Sequence, residues 1–599
     1  MESQGVRLFV GRLAIGLLQG IALYILYSAF EDKTWLAHNG LVFAPLLLVS
    51  LFIPLLIAQA LGNLRSLTLI LWALLAATVV AGFAAYDIWH GWPTQWQWKE
   101  NAELPRILPA FGTFFFSAAF LFIGHALVMA GDTDRKVMAR YHTDFDVAWK
   151  QGLQYALAAA FVGIFWALLW LGAALFKLIN LDFLEKLIEH RWFSIPITTL
   201  AIAAALHITD VRAQLVRGAR SLVLALFSWL LLLIVVIAAG FLGSLFGTGL
   251  APLWKTRMAT SLLLIAAAAI IVLINAAYQD GDEERKPVRI LRLAGSLGGL
   301  LLLPIVALAG YAVYLRITQY GWTADRISAT ASVVVATAYA LGYAVSALLP
   351  GGWLKFVERW NFVTSLLVLA VIAALFSPLI DPMRIGVASQ VARLETGKIA
   401  PEKFDFRYLR NEGGRFGKEA LERLIKSKND FTRDAAQEAL KSWNRFNPVE
   451  LPVTPKSIQK LVHIYPAGKG LPSSFVKEDW SVVFGGTNVP NCLSNRVSTD
   501  NHCIALLADI DGDKQDEVII FLPSDQVSDK EWNAVLLKFD GQHWRQLGDI
   551  GSQQHCKGDY ASLLAGKFQP VPAENVPPDF LVNGHRVYSN RATKTPTCQ

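Results

Sequence analysis

The stretch Trp192–His207, WFSIPITTLAIAAALH, decides the topology of this chain. Read as a membrane span, it is the sixth of eleven; read as a surface segment, it reverses the orientation of everything after it. A span needs about 20 apolar residues to cross about 30 Å of hydrocarbon. This one is short and carries Pro196, and it follows a stretch, Leu178 to His190, suited to lying flat at the interface. Two independent features keep it as a span.

The first is loop charge. The remaining apolar runs lie near Leu8–Ala29, Leu41–Leu61, Leu67–Tyr86, Ile107–Ala130, Leu153–Phe176, Ser221–Phe246, Met258–Tyr278, Leu293–Leu315, Ile327–Leu349 and Phe362–Leu379. With the N-terminus inside, the inner loops hold Arg65; Arg135, Lys136, Arg140 and Lys150; Arg212, Arg217 and Arg220; Arg285, Lys286, Arg289 and Arg292; and Lys355 and Arg359. The outer loops hold fewer: Lys33; Lys99 and Arg106; Lys177, Lys186 and Arg191; Lys255 and Arg257; and Arg316 and Arg326. Positive charge counted over short loops sets orientation. It favours an inner N-terminus, and an odd number of spans then delivers the C-terminal region outside.

The second feature is cysteine. All four, Cys492, Cys503, Cys556 and Cys598, lie near the C-terminus. An even number confined to one soluble region points to disulfides, which persist in oxidising compartments. Four cysteines allow three connectivities. The pairing Cys492–Cys503 with Cys556–Cys598 is favoured because the first pair closes a short polar loop.

These readings predict a mainly α polytopic helix bundle over residues 1–380. A soluble helical segment over 381–447 and a β-rich periplasmic domain with antiparallel strands over 448–599 follow. Hydrophobic residues make up 54% of the chain, and the soluble last third concentrates that excess in the spans. The formal charge of +7 is spread among short loops with no basic aromatic stripe, which excludes nucleic acid as a partner. Met1 to Arg12 leads into an apolar run to Ala29 with no small-residue cleavage site, as in a signal anchor, and Arg12 is expected to snorkel to the inner headgroups.

Few polar residues fall inside the spans: Gln19, Gln59, His125, Gln154, His207 and Asn275. No span holds a central Asp or Glu, which argues against an ion-coupled transporter. His207 and Asp210 share a helix face near the inner boundary. Small residues, such as Ala156, Ala158, Ala159 and Ala160, or Gly295, Gly298 and Gly299, are expected to let helices approach closely.

Two outer features are candidate sites. Trp89, Trp92, Trp96 and Trp98 in DIWHGWPTQWQW suit stacking on a sugar or headgroup, or an aromatic belt at the interface. Glu31 and Asp32 lie in the first outer loop. That placement, with about eleven spans and an outer soluble domain, resembles the membrane-embedded lipid-linked glycosyltransferases. The resemblance implies an acid that deprotonates or orients an acceptor hydroxyl.

In the soluble part, helices are expected near Gln390–Leu394, ended by Gly397. Another is expected near Lys418–Lys426, with Ala420, Leu421 and Leu424 on one face, and a third over about Thr432–Trp443, capped by Asp430. Strands are expected at Trp480–Phe484, Cys503–Ala508, Val518–Leu522, Ala534–Phe539 and Trp544–Leu547, the last two joined by an Asp540-Gly541 turn. Between two of them lies Asp509-Ile510-Asp511-Gly512-Asp513-Lys514-Gln515-Asp516-Glu517. Its alternating acidic oxygens suit calcium, and it resembles one repeat of the FG-GAP or integrin propeller type. By position, Asp509, Asp511, Asp513 and Glu517 would supply carboxylates and Gln515 a backbone carbonyl.

The phrases Ser389-Gln390-Val391-Ala392-Arg393-Leu394, Gly397-Lys398, Phe404-Asp405-Phe406-Arg407-Tyr408-Leu409-Arg410 and Gly413-Gly414-Arg415-Phe416-Gly417-Lys418-Glu419-Ala420-Leu421 carry a further likeness. They resemble a bacterial family of multi-pass inner-membrane proteins catalogued as domain of unknown function forty-one fifty-three. The resemblance implies a bacterial inner membrane and a periplasmic tail, and it brings no activity and no catalytic residues. The expected function is therefore a membrane anchor and scaffold in the lipid bilayer. It presents a periplasmic domain to a protein or envelope-lipid partner, and it is read as a non-enzyme. The alternatives are a glycosyltransferase-like enzyme or flippase for a lipid-linked envelope precursor, and a solute transporter, whose inverted repeats the sequence does not display.

Overall fold

The computed structural model describes residues 2–91, 94–97, 102–256, 258–282, 287–350, 352–441, 458, 462–484, 489–490, 492–493, 503–521, 534–550, 562, 564–565, 567–568, 580–582 and 585–587. Cys556, Cys598, Trp92 and Trp98 lie outside the described residues, so the second expected disulfide and two of the four tryptophans do too.

Eleven helices among the described residues are long and apolar enough to cross a membrane, the sixth included. In chain order the membrane half runs α1 (Glu2–Glu31), α2 (Gly40–Ala60), α3 (Ser66–His90), a hairpin of β1 (Thr94–Gln97) and β2 (Ala102–Pro105), α4 (Phe111–Asp134) and α5 (Tyr141–Lys177). It continues with α6 (Phe183–Glu189), α7 (Arg191–Val211), α8 (Ala213–Thr248), α9 (Ala251–Lys255), α10 (Ala259–Tyr278), α11 (Arg289–Tyr320), α12 (Ala324–Leu348) and α13 (Val357–Leu375). The spans are α1–α5, α7, α8 and α10–α13. Within the segment expected to lie flat, α6 is a short helix. The tryptophan-rich loop is not all loop: Trp89 lies in the last turn of α3, and Trp96 pairs with Glu103 across the β1–β2 hairpin.

Side-chain contacts alternate between the two ends of the bundle, as true crossings require. Near the end where α1 begins, Arg65 at the start of α3 pairs with Asp132 at the end of α4. There Arg220 at the start of α8 pairs with Asp146 at the start of α5, and Tyr278 at the end of α10 donates to Glu358 at the start of α13. At the other end, Asp381 after α13 meets Tyr86 and His90 at the end of α3. The chain therefore leaves the bundle at the end opposite its N-terminus.

The two largest apolar clusters among the described residues of the spans lie in different parts of the bundle. One joins Ala44, Leu48 and Leu56 of α2 to Trp72, Ala76 and Val80 of α3 and Leu121 of α4. The other joins Val235 of α8, Ile270 and Ile274 of α10, Leu302 and Ile305 of α11, and Tyr343 of α12. Small residues set the approach. A Cβ on Gly299 would lie 3.0 Å from the Tyr343 carbonyl oxygen, and one on Gly298 would touch Val235 at 3.1 Å. Of the four alanines in the α5 run only Ala158 is buried; the others face outward, where lipid is the natural solvent.

α1 packs closely against α7 through a spacing not singled out in the sequence, Gly16 and Gly20, four apart on one face. A Cβ on Gly16 would sit 2.6 Å from that of Ala203, and a Cβ on Gly20 would collide with Pro196 and Thr199. This is the small-xxx-small pattern that lets helix backbones touch.

After the spans come α14 (Pro382–Glu395), α15 (Phe406–Asn411), α16 (Gly414–Leu424) and α17 (Asp430–Lys441). Ala420, Leu421 and Leu424 are buried, as their spacing predicts. The cap of α17 is Asn429, whose Oδ1 accepts the Thr432 N–H at 2.9 Å, rather than Asp430, which is one residue too late to reach it. Two compact units result: Met1–Arg393 with Glu412–Lys418, and Leu394–Asn411 with Glu419–Gln599. The first unit takes in most of α14, which is tied to the spans.

The second unit contains β3 (Val462–Tyr465), α18 (Ser473–Lys477), α19 (Trp480–Val483), β4 (Cys503–Ala508), β5 (Glu517–Phe521), β6 (Ala534–Phe539), β7 (Trp544–Ile550), and a pair β8 (Phe580–Val582) and β9 (His585–Val587). The sheet order is β3-β4-β5-β6-β7. It is mixed rather than wholly antiparallel, because β3 runs parallel to β4. The Asp540-Gly541 turn joins β6 to β7 as expected, with Gly541 at φ +97°. The Trp480–Phe484 run is helical at Trp480–Val483, not a strand. Its aromatic Trp480 packs with Phe475 and Trp544 over one sheet face. A short run of large apolar residues does not by itself distinguish a strand from a buried helical turn. The β5 run Glu517–Phe521 is buried on both faces, as befits the central strand. Cys492 and Cys503 form a disulfide.

Candidate functional site

Each polar group inside hydrocarbon is costly unless satisfied, and several of those in the spans satisfy one another. Pro54 has no N–H and leaves the Ser50 carbonyl without its helical partner. The Gln19 amide donates to that carbonyl at 3.2 Å and to the Leu51 carbonyl at 2.8 Å. Asn275 Nδ2 donates to the Tyr343 hydroxyl at 2.5 Å, which donates to Asn361 Oδ1 at 2.9 Å. Asn361 Nδ2 closes the ring on Asn275 Oδ1 at 2.7 Å.

The third network sits beside a cavity. The Trp72 indole N–H donates to His125 Nδ1 at 3.0 Å. The ring's proton is therefore on Nε2, which donates to Gln59 Oε1. Gln59 Nε2 donates in turn to Gln154 Oε1 at 3.3 Å. Against this chain lies a cavity of about 450 Å³ between α2, α4 and α5. Phe52 and Leu56, Ala118 and Phe122, and Gln151 and Tyr155 are among its walls. Among the described residues, no charged one lines it. Gln151 donates its Nε2 to the Phe122 carbonyl at 3.3 Å, and its buried Oε1 has no partner. A second hollow of about 510 Å³, bordered by Arg65, Thr68 and Trp72, lies against α3. Trp72 and His125 thus face different hollows while bonded to each other.

Near the end where α1 begins, Arg12 does not reach out to headgroups. It is 2% exposed and donates to Asp210 at 2.7 Å and to the Leu61 carbonyl at 2.8 Å. Its other amine lies 3.5 Å from His207 Nδ1, and Lys150 reaches the second Asp210 oxygen at 2.7 Å. His207 and Asp210 do share a helix face, and they meet at Arg12. A nearby carboxylate gives the arginine a cheaper partner than the membrane surface.

At the opposite end, Asp87 accepts from Arg106 at 3.0 and 3.1 Å and from the Ala110 N–H at 2.7 Å. His90 lies between Asp87 at 3.4 Å and Asp381 at 3.0 Å. Asp381 also accepts from the Tyr86 hydroxyl at 2.5 Å and caps α14 through the N–H groups of Met383 and Arg384. Gln390 donates to the carbonyls of Tyr320 and Trp322, and Arg393 donates to that of Gln319. Gly414, at φ +54°, leaves no room for a Cβ beside the His90 carbonyl. Of the residues that carry the family likeness, Ser389, Gln390, Arg393 and Gly414 are thus among those that hold to the bundle.

Asp381 lies outside the spans. Burial raises its pKa, but hydrogen bonds from His90, Tyr86 and the Arg384 N–H outweigh that and hold it below the ordinary carboxylate range. A folded-state pKa lowered in this way contributes stability at and above the unfolded value, and loses it as pH falls through the folded one. Asp381→Asn should therefore lower the melting temperature at neutral pH. It should also flatten the acid limb of a stability–pH curve, and parallel acid limbs would contradict this account.

Of the residues expected to act, Glu31 and Asp32 are exposed at the end of α1, and neither hollow is lined by them. Trp89 packs against Tyr86 and Phe416 and takes the Arg415 guanidinium 4.8 Å from its ring. In the acidic loop, oxygens of Asp509, Asp511 and Glu517 lie within 4.8 Å of one another. Asp509 accepts the N–H groups of Gly512 and Lys514, and Glu517 that of Ile510. Lys538 points its ammonium among them, bonded to Asp511 and to Asp513 at 3.0 Å and lying 3.4 Å from Glu517. Those bonds to Asp511 and Asp513 raise the Lys538 pKa. The Gln515 N–H and Lys538 lower that of Asp513.

Sequence reasoning alone misses Gln151, Tyr155, Trp72 and Asp381. Periodicity offers no signal for the first three, because a cavity wall is made of residues far apart in the chain. A family model described as Domain of unknown function (DUF4153) matches residues 18–426. No curated protein and no solved structure matches the chain.

Proposed function

Because the chain belongs to the DUF4153 family, whose description names no reaction, we propose a function from its own geometry: it is a non-catalytic scaffold of the bacterial inner membrane. Its N-terminus is cytoplasmic, and its second unit is presented in the periplasm to a protein or envelope-lipid partner. The observation that carries this reading is the Cys492–Cys503 bond lying beyond an odd number of spans. A disulfide persists in an oxidising compartment, and the excess of Arg and Lys in the loops on the N-terminal side agrees with it. Glu31 and Asp32 border neither of the two hollows described, which supports scaffold over enzyme.

The test is a pair of C-terminal fusions. A phosphatase that works only in the periplasm should be active, and a green fluorescent protein that matures only in the cytoplasm should be dark. The reverse pattern overturns the placement. Turnover of a lipid-linked sugar by the purified protein, lost in Glu31→Gln with Asp32→Asn, would instead establish the glycosyltransferase-like reading. A photo-crosslinker in place of the exposed Leu547 should give one discrete adduct in cells; none would remove the partner.

Calcium in the acidic loop is a second proposal, supported by the three convergent carboxylates. The ion would have to displace Lys538. Calcium should therefore raise the melting temperature of Lys538→Met more than that of the parent protein, and chelator should reverse the rise. No calcium-dependent rise in either protein ends the proposal.

A further inference from the structure

We propose that the cavity between α2, α4 and α5 binds one alkyl chain of a lipid whose polar end donates a hydrogen bond, as a hydroxyl or an amide N–H does. At about 450 Å³, it falls within the range of about 300–1,000 Å³ typical of small-molecule sites, which are mainly apolar with a few placed polar groups. The walls are mostly Phe, Leu and Ala, the last leaving the space, with His125, Gln151 and Tyr155 as the polar members. Phe115 is among the wall residues and is 60% exposed on the bundle surface. The cavity thus reaches the face that lipid covers, and the surrounding solvent supplies the occupant.

The polar end follows from the unspent bonding capacity of the wall. His125 has committed both ring nitrogens, to Trp72 and Gln59. Gln151 spends one amide N–H on the Phe122 carbonyl, while its Oε1 is buried with no partner at all. A primary amide oxygen accepts and does not donate. The group that complements this oxygen is therefore a donor. A carboxylate or phosphate oxygen set against Gln151 Oε1 would be repelled, and no cation lines the cavity to offset it. A bare hydrocarbon would leave the acceptor unsatisfied, which is expensive at this depth.

The test uses the full chain purified in detergent and two photoreactive probes, diazirine-bearing hexadecanol and diazirine-bearing hexadecane. Hexadecanol should label peptides of α2, α4 and α5, and unlabelled hexadecanol should compete. Ala119→Phe, which fills the cavity, should cut labelling at least about tenfold. Gln151→Leu should cut labelling by the alcohol about three- to tenfold, the effect of one hydrogen bond, and leave labelling by the hydrocarbon unchanged. Labelling elsewhere, or labelling indifferent to Ala119→Phe, overturns the site. Equal effects of Gln151→Leu on the two probes overturn the donor requirement. Should Ala119→Phe fail to fold, competition in the parent protein decides: hexadecanol must compete at least about threefold better than hexadecane, and equal competition refutes the proposal.

Discussion

Gly20→Leu should abolish folded protein, leaving aggregate on size-exclusion chromatography in a detergent that keeps the parent monodisperse. Gly20 faces the Pro196 turn of α7 so closely that even a methyl group would overlap the Pro196 Cα and the Thr199 hydroxyl. Pro196 cannot yield, because its ring already fixes the backbone. The neighbouring contact at Gly16 is nearly as tight, since a methyl group there would lie 2.9 Å from the Thr199 carbonyl oxygen. Relief requires the helices to part along the whole seam, which forfeits packing on both sides. Gly20→Ala should therefore cost about 3 kcal/mol, the upper end for overpacking. Gly163→Ala in α5, where nothing lies within 4 Å, should be neutral or stabilising, by up to about 1 kcal/mol from helix propensity. Equal behaviour of the two alanine variants would show that the α1–α7 seam has slack.

Asp210→Asn should be the most damaging single charge change, at about 3–5 kcal/mol, the cost of leaving a buried ion without its partner. It strands Arg12, which is 2% exposed, and Lys150 beside it. Arg12→Met should cost less, because Asp210 keeps Lys150 at 2.7 Å. Lys150→Met should cost least, since that lysine is one-third exposed and its ion pair is partly screened by solvent. The double variant Arg12→Met with Asp210→Leu should recover part of the loss, because two matched apolar groups replace a costly pair. Thermal melts of the four proteins give the order. If the aspartate variant is no worse than the lysine variant, the pairing described here does not hold α1 to α7.

Much of this architecture is legible in the sequence because solvent partition writes it locally. Twenty apolar residues in a row announce a crossing, and even the doubtful sixth one, with Pro196 inside it, is helical from Arg191 to Val211. The Cys492–Cys503 bond follows from a short intervening loop, and the β6–β7 hairpin from Asp540-Gly541. What escapes is non-local. Nothing near Arg12 in sequence announces Asp210, so snorkelling is the natural expectation. Trp480 belongs to a β-rich run, yet its packing against Phe475 and Trp544 holds it in a helix. Lys538 lies far along the chain from the acidic loop it enters. Gly16 and Gly20 are visible as a spacing, but Pro196, which gives the spacing its partner, reads in sequence only as a weakness of the span.

The clasp formed by α14 also has a consequence for biosynthesis. Asp381, Gln390 and Arg393 engage the ends of α3 and α11, and they leave the ribosome after every crossing has been made. The ends of helices inserted early thus wait, unsatisfied, for residues translated after all of the spans. A nascent chain stopped after Leu379 would be fully inserted but unlatched, and quality-control proteases of the membrane would meet it in that state.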